Sequence, residues 1–73
     1  MAPSLRAQAP ALTLDALTYR QREVAVLAAT THLSIKELAD RLGLSPNTVK
    51  LHLHAIYQRL GVDGRVGLVL ALR

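Results

Sequence analysis

Apolar residues recur at helical spacing in three successive stretches of the chain, and each stretch opens on a capping residue. In the first, Val24, Leu27 and Ala28 fall on one side of a helix. In the second, Ile35, Leu38, Ala39 and Leu42 do so. In the third, Val49, Leu53, Ile56 and Leu60 follow an i, i+4, i+7, i+11 series. Thr18 and Gln21 have the spacing of a capping box, in which a hydroxyl bonds a first-turn amide and the side chain three residues on reaches back. Ser34 and Glu37 repeat the device. Ser45 is followed by Pro46, whose missing N–H costs nothing at the first helical position. Gly43 and Gly61 stand where a helix would finish in a left-handed cap. These signals predict helices over residues 19–29, 35–42 and 46–60. A fourth is predicted over 64–72, with Asp63 as its N-cap.

The N-terminal part reads differently. Residues 1–11 are rich in Ala and Pro, and Pro3 and Pro10 break any helical period. Residues 1–16 are expected to be a flexible leader or the remnant of a linker, and 17–73 one domain. No internal repeat is present.

Composition narrows the fold. Hydrophobic residues make up 51% of the 73, yet Tyr19 and Tyr57 are the only aromatics. Ala, Leu and Val supply the apolar mass, and Ala and Leu favour helix, so an all-α bundle with a small core is expected. The absence of cysteine excludes a disulfide framework and a thiolate metal site. No apolar run is long enough to span a membrane, and no hydrophobic stretch follows Arg6 as a secretory signal would require. A cytoplasmic protein is the expectation. Nine basic residues against five acidic give a net charge of +4, which suits a polyanionic partner.

The link Leu42-Gly43-Leu44-Ser45 changes the picture most. So short a connection forces the second and third helices to cross steeply. Gly43 permits positive φ, Leu44 plugs the corner, and Ala39 is small where the helices approach. Small residue, glycine, apolar residue and capped helix together make a helix-turn-helix pattern. The third helix then has a face to offer. Opposite its apolar stripe fall Asn47, Lys50, Leu51, His54 and Gln58, and no acidic residue occurs from Arg41 to Val62. A groove lined by phosphates repels carboxylates, so this face suits the major groove of duplex DNA. Lys50 can donate to guanine O6 or N7, or to a phosphate, and His54 can donate or accept at a base edge. Leu51 is either a contact for a thymine methyl or a tolerated surface leucine. Lys36, Ser45 and Thr48 are candidates for phosphate contact, and His52, at the border of the stripe, either packs or touches phosphate. Arg20, Arg22 and Arg59 are expected to be solvated or structural.

The residues so assembled resemble the DNA-binding output domain of the LuxR/GerE-type transcription regulators of bacteria. The resemblance runs through Leu17-Thr18-Tyr19-Arg20-Gln21-Arg22-Glu23-Val24 and Leu33-Ser34-Ile35-Lys36-Glu37-Leu38-Ala39-Asp40-Arg41-Leu42. It is strongest over Leu44-Ser45-Pro46-Asn47-Thr48-Val49-Lys50-Leu51-His52-Leu53 and continues through Ile56-Tyr57-Gln58-Arg59-Leu60-Gly61-Val62 and Arg65. It implies a four-helix domain without a wing, with the third helix in the major groove and Lys36 and Thr48 on the backbone. It also implies pairing on DNA through the fourth helix. Three positions depart from the family pattern. Gln21 stands where Glu is usual, His54 where a basic or polar residue is common, and Thr30-Thr31-His32 where a glycine is expected.

The fourth stretch has more apolar residues than one buried face needs. Val66 and Leu70 point one way, and Leu68, Val69 and Leu72 another. A homodimer through Val66 and Leu70 is therefore expected on DNA. The leading reading is a sequence-specific transcription regulator or its output domain. The alternatives are an adaptor that contacts RNA polymerase or another regulator, and the promoter-reading domain of a sigma factor. An enzyme is disfavoured, because the three histidines and five carboxylates form no paired constellation. His52 and His54 face different directions on a helix and make no metal pair, and no cofactor is called for.

Overall fold

A computed structural model describes residues 14–72. A 3-10 turn over Leu14–Ala16 leads into four α-helices: α1 (Tyr19–Thr30), α2 (Ile35–Leu42), α3 (Pro46–Leu60) and α4 (Arg65–Ala71). No strand occurs among the described residues, so the fold is the all-α helix-turn-helix domain expected. Most of the leader expected over residues 1–16 lies outside the described residues. Its last part, the 3-10 turn, packs Leu14 and Ala16 against the core.

The caps form as the spacing predicts. Thr18 accepts from the Gln21 amide while Gln21 Oε1 accepts from the Thr18 amide, both at 3.1 Å. Ser34 and Glu37 do the same at 3.1 and 2.8 Å. Gln21 thus serves the cap as a neutral acceptor, and Arg20 finds its carboxylate at Glu23 instead. At the other ends, Gly43 and Gly61 have φ of 70° and 71°. The Leu44 amide reaches back to Ala39 O and the Val62 amide to Tyr57 O, each at 2.9 Å, so both helices close in a Schellman motif.

One core holds the helices together. Leu38, Ile56, Leu60, Leu68, Val24 and Val49 are its largest fully buried side chains. Burying each leucine or isoleucine stabilises the fold by about 2 kcal/mol. The α3 stripe of Val49, Leu53, Ile56 and Leu60 is buried as expected. On α1 the buried set is Val24, Ala25 and Ala28, with Leu27 half-buried. This helix packs against α3 and α4 at once, and alanines let both approach closely.

Two expectations fail at helix ends. Asp63 does not cap α4: the N-cap is Gly64, with no side-chain bond, and the helix covers Arg65–Ala71 rather than 64–72. The first helix ends at Thr30, one residue later than expected, without any left-handed residue. Side chains replace the missing glycine. Thr30 and Thr31 hydroxyls donate to Val26 O and Leu27 O, each at 2.7 Å. Arg65 takes the next carbonyl, Ala28 O, at 2.8 Å.

Candidate nucleic-acid interface

The turn between α2 and α3 presents one face of α3 to solvent. Ala39 is fully buried at the crossing, and Leu44 is packed against the core beneath the corner. Asn47, Lys50, Leu51, His54 and Gln58 are all exposed. On a helix of 3.6 residues per turn they fall within an arc of about 100°, away from the buried stripe. Leu51, 64% exposed, lies at one edge of this otherwise polar arc. The face carries no acidic residue, and the first turn of α3 carries none either. Tyr57 is half-buried at its edge, and burial pushes its phenol pKa up, so it stays neutral.

The residues expected on phosphates divide into two kinds. Lys36 is exposed in the first turn of α2 and Ser45 at the cap of α3. Thr48 and His52 are half-buried on the flank of α3. Ser45 Oγ accepts from the Thr48 amide at 3.1 Å and lies 2.8 Å from Thr48 Oγ1. Of the two hydroxyl protons, one is used between the pair. The other is free for an outside acceptor at a helix N-terminus, where the backbone dipole favours an anion.

Three arginines are structural in a way that the sequence hides. Arg20 bonds Glu23 at 2.9 Å and Leu42 O at 3.0 Å, tying the start of α1 to the end of α2. Arg59 donates from Nε to Ala16 O at 2.9 Å, tying α3 to the 3-10 turn. Arg65 bonds Ala28 O, Thr31 O and Leu33 O. Sequence reasoning gave Arg65 no role beyond its place in the resemblance. Its partners lie more than thirty residues away in the chain, and no local pattern reports them.

On α4, Leu68 is fully buried, whereas Val66 and Leu70 are 75% and 59% exposed. They are four residues apart and share one side of the helix. No group of three or more His, Asp or Glu suited to a metal ion occurs among the described residues. No described helix is long and apolar enough to cross a membrane.

Residues 15–72 match the GerE family model, described as bacterial regulatory proteins of the luxR family. The chain is 38% identical over 68 residues to the transcriptional regulatory protein UhpA of Salmonella typhimurium, covering 93% of this chain and 34% of that protein. It is 44% identical over 54 residues to UhpA of Escherichia coli, covering 74% of this chain and 27% of that one. The chain therefore spans about a third or less of the length of these relatives. No solved structure was found to match it.

Proposed function

This chain belongs to the luxR family of bacterial regulatory proteins, a family of DNA-binding transcription regulators, and from that membership we propose that it reads the major groove with the outward face of α3. The observation that carries this is the division of one 15-residue helix. Four apolar side chains are sunk in the core, and Asn47, Lys50, Leu51, His54 and Gln58 are offered to solvent with no carboxylate among them. Lys50 and His54 address base edges, Asn47 and Gln58 bond either bases or backbone, and Leu51 meets a thymine methyl. Lys36, His52 and the free hydroxyl proton of the Ser45–Thr48 pair hold phosphates and set the register of the helix.

Two copies bind together. Val66 and Leu70 form a small apolar face, and pairing them across a two-fold axis sets two α3 helices about one turn of DNA apart, on the order of 34 Å. Selection of bound sequences from a random duplex pool tests both statements. The expected outcome is an enriched inverted repeat whose half-sites are one turn apart. A bound pool that stays random in sequence would remove base reading by α3. A folded domain with no affinity for duplex DNA at low salt would favour the adaptor reading instead.

A further inference from the structure

Arg65 is the first residue of α4, and all three of its guanidinium nitrogens are engaged. Nε donates to Ala28 O at 2.8 Å, one terminal nitrogen to Thr31 O at 3.1 Å and the other to Leu33 O. Ala28 lies in the last turn of α1, and Leu33 immediately precedes the cap of α2. One side chain therefore spans the whole α1–α2 link. Its charge also sits at the C-terminus of α1, where the helix dipole favours a cation.

Beyond its packing on α1 and α3, few polar contacts fix the direction of α4. The helix has seven residues, one fully buried side chain (Leu68) and an N-cap without a side-chain bond. It also comes close to the preceding loop at Gly67, where an added Cβ would lie 3.0 Å from Val62 Cβ. Loss of the Arg65 bonds would leave α4 held by apolar packing alone, able to tilt about Leu68 and Gly67. Val66 and Leu70 ride on the outer side of the same helix, Val66 directly after Arg65.

We infer that Arg65 is a positioning residue for paired binding: by locking α4 to the α1–α2 link, it sets the spacing of the two half-sites that the pair accepts. This rests on the reading that two copies pair through α4. The geometry makes the lever long. A tilt of about 10°, carried over roughly 34 Å between recognition helices, displaces the partner helix by about 6 Å. At about 3.4 Å per base pair that is nearly two steps along the duplex. Lysine in place of Arg65 keeps the charge but cannot serve three carbonyls from a planar fork.

The experiment compares wild type, Arg65→Lys and Arg65→Met on two sets of duplexes built from the selected half-site. One set carries a single half-site, and the other carries inverted pairs whose spacing varies by single base pairs. Wild type is expected to prefer one spacing by about tenfold or more. Both variants are expected to flatten that preference to about threefold, with single half-site affinity within about twofold of wild type. Circular dichroism confirms unchanged helicity at the temperature used, and should Arg65→Met fail to fold, Arg65→Lys carries the comparison. A wild-type spacing profile in Arg65→Lys overturns the inference. So does a loss of single half-site affinity in step with the loss of spacing preference, which is what a purely structural role would give. A wild type that binds pairs with no preference and no cooperativity removes the pairing reading itself, and the inference with it.

Discussion

The Glu37 carboxylate accepts the Ser34 amide, and that bond lowers its pKa most, ahead of the bond with the Ser34 hydroxyl and the charge of Arg41. The folded value lies below the unfolded one. The stabilisation is therefore fully present above the unfolded value and fades as the pH falls through the folded one. Glu37→Gln keeps an acceptor for the Ser34 amide but cannot titrate. The wild type is expected to melt above Glu37→Gln at neutral pH, with the gap closing as the pH drops below the carboxylate range. Thermal melts across that range check this, and a gap that does not change with pH contradicts it. At the same scale, the Ser45–Thr48 hydroxyl pair serves the fold and, on the proposed reading, the site as well. It caps α3 and leaves one proton for an outside acceptor.

At the scale of elements, α2 and α3 were legible residue for residue, and the reason is local. Each begins on a hydroxyl cap and ends on a glycine in the left-handed region, and these signals lie within a few residues of the boundary they mark. Both ends of α4 and the end of α1 were not legible. The α1 terminus is closed by Thr30 and Thr31 hydroxyls and by Arg65, the last from across the fold. Nor did periodicity separate Ala25, which is buried, from Leu27, which is half-buried, because α1 is squeezed by two neighbours rather than one. The outward face of α3 was readable because its inward stripe was. On α4 the split of Val66 and Leu70 from Leu68 was also readable, since a helical period assigns it. Because both exposed residues lie on the surface, Val66→Glu and Leu70→Glu are expected to change stability by no more than about 0.5 kcal/mol. Each should weaken binding to a paired site about tenfold or more while leaving a single half-site unaffected. Gel-shift titrations on single and paired duplexes decide this, and equal losses on both would contradict pairing through α4.

For the whole molecule, the distribution of cations matters more than the net charge of +4. Arg20, Arg59 and Arg65 each donate to at least one backbone carbonyl within the domain. Lys36, Arg41 and Lys50 remain exposed; Glu37 and Asp40 lie beside the first two on α2, whereas no acidic residue occurs from Arg41 to Val62 to oppose Lys50. On the proposed reading, the outward face of α3 can be altered without unlocking the helices. If each domain neutralises about three phosphates, log affinity of the pair should fall against log salt with a slope of about −5. Lys50 is the one fixed charge among the five residues of the outward α3 face, and Lys50→Glu tests DNA contact by this face most directly. Affinity for the selected duplex is measured at several salt concentrations, with helicity followed by circular dichroism. The expected result is an unchanged helical spectrum, an affinity at least about tenfold lower at low salt, and a shallower salt slope. Wild-type affinity and slope in folded Lys50→Glu would show that α3 is not the helix that meets DNA.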